Sequence, residues 1–179
     1  TVRICDSNHN TLPNGCEGNI HVKGPHVMRE YLNNPELTKK SFHGDWLDTG
    51  DFGVLDDDGY VYLKGRQSEI INVGGLKVCP DEVEEFLKEI DIIKDCACVG
   101  IPDPRGISGE CVKAYLVLNE NSNLEQFKPA IAKHLRSKIE EYKIPSVFEA
   151  IDKIPRTLSG KIQRQMLKEL IVEGSKCSI

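Results

Sequence analysis

Hydrophobic residues change their period along this chain. Over roughly the first sixty positions they fall in short alternating runs, such as TVRIC at 1–5, among glycines and turn formers, which predicts half-buried strands. One helix start interrupts them. Asn34-Pro35 joins a capping side chain to a proline at the first helical position, predicting a short helix that stops near Phe42. GVLDDDGYVYL at 53–63 then reads as a hairpin, with Asp56 to Gly59 turning between two β-prone strands.

From Pro80 the period becomes helical. Val83, Phe86, Leu87 and Ile90 lie at i, i+3, i+4 and i+7, one apolar stripe on a helix that Pro80 opens. Strands are predicted over 93–99 and 112–118, and an amphipathic helix over 124–141 that buries Phe127, Ile131, Leu135 and Ile139. Pro129 fits that helix only if it lies in the first turn. A short strand at 147–151 and a closing helix at 163–172 complete the pattern. The change of period falls near Gly65 to Ser68. It predicts an α+β chain, with a β-rich portion at 1–65 and a small domain at 66–179 whose short sheet is flanked by helices.

Composition adds bounds to this picture. With 179 residues, 39% hydrophobic and 28% charged, the chain is of ordinary globular type and can bury a core. No apolar run approaches the ~18–20 residues that cross a bilayer, and no basic-then-apolar signal opens the chain, so a cytoplasmic protein without a transmembrane segment is expected. Seven cysteines at irregular spacing are read as free thiols in a reducing compartment, with Cys96 and Cys98 buried in an apolar run. The chain begins at Thr1 in mid-strand, as a piece of a longer protein would. His9, His21, His26, His43 and His134 show no metal-ligand spacing along the sequence, so no metal is expected. The acidic triplet 56–58 lacks the alternating ligands of a calcium loop, and Gly65 stands where such a loop needs glutamate.

The charge pattern brings in chemistry. The chain carries a net charge of −5, yet Lys153, Arg156, Lys161, Arg164 and Lys168 lie in a segment without one acid; that reversal suits a polyanionic ligand such as a nucleotide, although this segment alone reads first as a solvated loop before a basic helix start. Lys161 follows Ser159-Gly160 on a small-residue turn within PRTLSGKIQR. Two further segments, taken singly, have plain structural readings: DTGD at 48–51 as a hydrogen-bonded corner, and Gly74-Gly75 as a hairpin turn, with Arg66 as a surface ion pair.

Taken in order, DTGD, GRQSEIINVGGLKVCPDEVE at 65–84 and PRTLSGKIQR at 155–164 resemble the C-terminal third of the adenylate-forming superfamily, which includes acyl-CoA synthetases, firefly luciferase and peptide-synthetase adenylation domains. The resemblance covers essentially the whole chain. GNIHVKGPHVMREYLNNPELTKKSF, GDWLDTGD and KIEEYKIP look like the family's connecting segments. It implies that 1–65 closes the large adenylation domain and that 66–179 is a mobile lid pivoting at Ser68, where the family commonly has Asp or Lys. Asn19 and Glu30 are further departures, standing where the family usually has an acid and often has a glycine.

The resemblance also implies roles. Asp51, a carboxylate on a tight turn, would accept hydrogen bonds from both ribose hydroxyls of ATP, with Arg66 as a second clamp. Lys161 would act as a cation where carboxylate and α-phosphate meet, in the step that releases pyrophosphate and leaves an acyl-adenylate. After the lid swings, Val73, Gly74, Gly75 and Leu76 would line the channel for the thiol of CoA, with glycines admitting the pantetheine arm. The expected partners are a carboxylic acid, ATP, CoA and the upstream domain of the same protein, with no nucleic acid. The phosphate loop, the acyl pocket and the glutamate for Mg²⁺ belong upstream, so the chain alone is expected to be inactive. Delivery of the acyl group to a carrier protein, or a role as a non-catalytic docking module, stand as alternatives.

Overall fold

The computed structural model describes residues 1–120 and 122–174, with side chains as far as Leu170. The chain divides into two units, Thr1–Ser68 and Glu69–Ile179.

The first unit is a largely antiparallel sheet. β1 (Val2–Cys5), β2 (Glu17–Val22), β3 (Phe42–His43) and β4 (Trp46–Leu55) stand in the order β1-β2-β4-β3, and β5 (Val61–Arg66) pairs with the remaining length of β4. The predicted hairpin is present. Asp56 Oδ1 accepts the Tyr60 N–H at 2.8 Å, and Gly59 takes φ +88°, a conformation a side chain would strain. α1 (Pro35–Ser41) begins as predicted, with Asn34 Oδ1 accepting the Leu37 N–H at 3.0 Å, and ends where Phe42 turns extended. Ile4, Cys5, Ile20 and Phe52 are its buried hydrophobic residues among those described, distributed over both faces of the sheet. Gly53 sits where the β4–β5 register shifts, and a Cβ there would come within 2.4 Å of the Tyr62 carbonyl oxygen.

The second unit is built on β8 (Ile93–Pro102), β9 (Glu110–Leu118) and β10 (Val147–Ala150), with β8 and β9 antiparallel and β10 parallel to β9. A separate hairpin pairs β6 (Ile71–Val73) with β7 (Leu76–Val78). The near-continuous apolar runs of β8 and β9 have a simple cause: both faces of this sheet are covered. Cys96, Cys98, Val112, Ala114 and Leu116 face α2 (Pro80–Lys88) and α3 (Leu124–Arg136), meeting Val83, Leu87, Ile131 and Leu135. Ala97, Val99, Ile101 and Tyr115 face the other way, toward Ile154 and Leu167 of α4 (Arg164–Gly174). Each such aliphatic side chain, fully buried, contributes about 1.5–3 kcal/mol.

α3 departs from expectation in two respects. It stops at Arg136, where Ser137 donates its backbone N–H to His134 and its hydroxyl, at 2.6 Å, to the same carbonyl, so Ile139 enters the core from the turn beyond the helix. Pro129 is the sixth helical residue, past the first turn. Its missing N–H deprives only the Glu125 carbonyl, on an exposed residue where water can serve instead. No disulfide joins the six described cysteines, and Cys177 lies outside the described residues. Burial pushes the Cys96 thiol up to about 12 and Cys98 well above its ordinary value. Among the described residues no helix is long and apolar enough to cross a membrane.

Candidate functional site

The Thr49-Gly50-Asp51 corner expected from the sequence is a bend inside β4 and not a turn between elements, and it is held from within its own unit. Thr49 Oγ1 donates to the Ile20 carbonyl at 2.9 Å and accepts the Asp51 N–H at 3.1 Å, while Asp48 Oδ1 accepts the Gly50 N–H at 2.9 Å. Gly50 takes φ +72°. Cross-strand register sets Asp51 opposite Arg66, and their side chains meet at 2.8 Å between Oδ1 and Nη1. Arg66 also donates to the Thr49 carbonyl at 3.3 Å. The Asp51 carboxylate is about one-third exposed. The two residues singled out from the sequence are thus brought together, one already oriented by the other.

Lys161 lies on a loop clamped at both ends. Inside the loop, Thr157 N–H donates to the Lys161 carbonyl at 2.8 Å, and Thr157 Oγ1 accepts the Lys161 N–H at 3.1 Å. Gly160, at φ +85°, makes the turn. Arg156 then donates to the Gly160 carbonyl at 2.9 Å and forks onto both carboxylate oxygens of Asp95 at 2.8 and 3.0 Å, fixing the loop to the start of β8. On the far side, Arg164 opens α4 and reaches Glu84 at 2.8 Å, Glu69 at 3.0 Å, Asp81, and the Cys98 carbonyl at 3.2 Å.

These pairs revise the picture of an unbroken basic segment. Arg156 and Arg164 are neutralised by acids from distant parts of the chain, whereas the exposed Lys161 ammonium has no hydrogen-bond or ion-pair partner among the described residues. Desolvation disfavours the charge on Arg164, but Glu84, Glu69 and Asp81 outweigh it and raise its pKa. Burial pushes the Glu84 carboxyl up, against the pull of Arg164 and the Cys98 N–H.

The glycine hairpin is a separate feature of the second unit. Gly74 and Gly75 take φ +60° and +91°, the mirror-image turn that fits the twist of paired strands. Gly74 N–H donates to the Ser108 carbonyl at 2.9 Å, and Asn72 N–H to Glu110 Oε2 at 2.9 Å. The supporting loop is organised by Asp103, which had no signal in the sequence. Its buried carboxylate takes the Ser108 hydroxyl at 2.7 Å and the Arg105 guanidinium at 3.1 Å, and these hold it well below the usual carboxylate range. Next to Val73 opens a cavity of about 710 Å³ whose wall includes Arg105, Arg136, Tyr142 and Ser146.

The hairpin and the lysine loop do not converge. The loop is tied to Asp95 at the beginning of β8 and the hairpin to the loop of Asp103 beyond its end, roughly 25 Å apart along the strand.

The histidines give a result that linear spacing does not contain. His9, His21 and Asp48 each place a potential ligand atom within 4.8 Å of the others. Two imidazoles and one carboxylate do not suit Mg²⁺, which wants oxygens.

Comparison with known proteins gives these features a family. Residues 82–161 match the AMP-binding enzyme C-terminal domain. The chain is 37% identical over 176 residues to the mitochondrial acyl-coenzyme A synthetase ACSM4 of Rattus norvegicus, covering 94% of this chain and 30% of that protein. Among solved structures, the o-succinylbenzoate CoA synthetase of Bacillus subtilis, in complex with its acyl-adenylate intermediate, superposes with a TM-score of 0.82 at 32% identity, over 94% of this chain and 33% of that one. The amide bond synthetase McbA of Marinactinospora thermotolerans gives 0.80 at 32%, over 95% and 34%. The chain belongs to the adenylate-forming superfamily and carries its C-terminal domain. Within that superfamily it resembles AMP-forming acyl-CoA synthetases, and it spans about a third of the length of the relatives it matches.

Proposed function

We propose that this chain is the C-terminal part of an ATP-dependent acyl-CoA synthetase, which joins a carboxylate to AMP with loss of pyrophosphate and then passes the acyl group to CoA. The observation that carries the reading is the unpaired Lys161 ammonium on a loop braced by Arg156 and Arg164. A cation carried on a braced loop, without a protein counter-ion among the described residues, suits the point where carboxylate and α-phosphate converge, because it offsets their repulsion.

Asp51 and Arg66 then serve the ATP ribose, Asp51 accepting from its hydroxyls through its partly exposed carboxylate. Val73, Gly74, Gly75 and Leu76 flank the thiol path. Two guanidiniums, Arg105 and Arg136, on the wall of the adjoining cavity suit the phosphates of CoA. Because the lysine loop and the hairpin sit at opposite ends of β8, one orientation of the domain cannot offer both to a single reacting carbon. Adenylation and thioester formation therefore use two orientations, reached by a pivot at Ser68, which borders the division between the units.

McbA favours a second reading, since it is an amide bond synthetase of similar fold and comparable identity. There the adenylate would go to an amine, or in another variant to a carrier protein, and the 710 Å³ cavity would have no role for CoA. The two readings separate in the protein joined to its upstream domain. CoA-dependent AMP release that falls at least about tenfold in Arg105→Ala supports the synthetase, and adenylate formation indifferent to CoA rejects it.

A further inference from the structure

In the first unit, antiparallel pairing gathers residues that are far apart in sequence. His21 of β2 stands opposite Asp48 of β4, and β3 brings His43 beside Trp46 on the other edge of β4. His9 arrives from the loop after β1. That loop is built by Asp6, whose Oδ1 accepts the N–H groups of Asn8 at 2.8 Å and Asn10 at 2.9 Å. His9 itself takes φ +64°, a left-handed conformation that an imidazole-bearing residue adopts at a cost, and one that puts its ring against His43 with centroids 3.3 Å apart.

The polar atoms of this cluster are poorly served by the protein. His21 is fully buried, and its Nε2 lies 3.8 Å from Asp48 Oδ2, too far for a hydrogen bond. His21 Nε2 and His9 Nδ1 are both buried without a hydrogen-bond partner among the described residues. Asp48 uses Oδ1 to cap the Gly50 N–H, so Oδ2 is the oxygen that faces His21. Potential ligand atoms of two imidazoles and one carboxylate therefore gather in one space.

We propose that His9, His21 and Asp48 form a binding site for a single divalent transition-metal ion of the zinc class. The donor set is that of borderline metals, and bonds of about 2.0–2.2 Å to each ligand require the atoms to draw together only modestly from their present separation. Among the described residues Arg3 brings a cation close by, with its guanidinium 3.5 Å from His21 Nδ1, at the limit of a hydrogen bond and on the other nitrogen of the ring. It gives up little when Nδ1 becomes the protonated nitrogen, because it stays stacked 4.4 Å over the Trp46 ring. The ion pins the Asp6–Asn10 loop to the β2–β4 ladder beneath the corner that carries Asp51. Its role is structural, and this inference does not depend on the reaction assigned above.

The test is Co²⁺ titration of the full chain followed by visible spectroscopy, with Zn²⁺ competition. One equivalent should bind with ligand-field bands of a low-coordinate site and no thiolate charge-transfer band. His9→Asn keeps a residue tolerant of the left-handed conformation, and Asp48→Asn keeps the acceptor for Gly50. Each should fold and weaken binding about 100-fold or more, while Cys16→Ser leaves it unchanged. Zn²⁺ should raise the unfolding temperature of the parent but not of His9→Asn. Absence of stoichiometric binding, binding retained in both variants, or a thiolate band lost with Cys16 would each overturn the proposal.

Discussion

Replacing Arg164 with alanine should destabilise the second unit more than any exposed charge change, because of what it leaves behind. Glu84 is only 2% exposed, and its carboxylate has two partners, the Cys98 N–H and the Arg164 guanidinium, both at 2.8 Å. Asp81 and Glu69 reach solvent and lose little. Breaking a buried pair costs about 3–5 kcal/mol, and the surviving Cys98 bond puts Arg164→Ala near the lower end, about 3 kcal/mol. For a unit of this size that is a fall of roughly 12–20 °C in unfolding temperature, measurable by calorimetry or circular dichroism.

The pH dependence follows from Glu84. Its carboxyl is already raised by burial with Arg164 present, so ionised Glu84 detracts from stability above its folded pKa, whereas below the unfolded value of about 4.3 it is protonated in both states. Removing Arg164 raises it further. The deficit of the variant should be complete at neutral pH and shrink as pH falls toward about 4. Glu84→Gln keeps an acceptor for Cys98 without the charge, so the double variant should recover about half of the loss or more. A loss under about 1 kcal/mol, or a double variant no more stable than Arg164→Ala, refutes this reasoning.

Two other outcomes are expected. Gly74→Ala and Gly75→Ala place side chains in left-handed conformations and should each cost about 1 kcal/mol. In the protein joined to its upstream domain, they should slow acyl transfer from supplied adenylate at least about tenfold while sparing adenylation; equal loss in both steps would detach the hairpin from the thiol path. Alkylation of the native chain, read by peptide mass spectrometry, should modify exposed Cys16 and leave Cys96 and Cys98 intact until unfolding, since burial raises both thiols. Prompt modification of Cys98 would contradict the packing of β8 under α2.

Much of the fold was legible because periodicity carries it. The stripe Val83, Phe86 and Leu87 announced α2, although its fourth member, Ile90, lies beyond the helix end at Lys88, and the near-continuous apolar runs announced β8 and β9. The end of α3 was not, because Ile139 continues the apolar period past the helix while Ser137 ends it through local bonds to His134. Lys161, Asp51, Arg66 and the Val73–Leu76 segment were legible as motifs, but their settings were not. That Arg156 belongs to Asp95 and Arg164 to Glu84 depends on partners sixty-one and eighty residues away. The histidine cluster was hidden for the same reason: His9, His21 and Asp48 meet through strand register and one left-handed loop, and neither leaves a spacing to count.

The most direct test of the central claim is carboxylate-dependent ATP–pyrophosphate exchange by this chain joined to its upstream domain, compared with its Lys161→Ala variant over a panel of acids. The account predicts exchange with at least one acid, lowered about 100-fold or more by the substitution, while thioester formation from supplied adenylate stays largely intact. Exchange that survives Lys161→Ala, or that falls no more than the thioester step does, would contradict it.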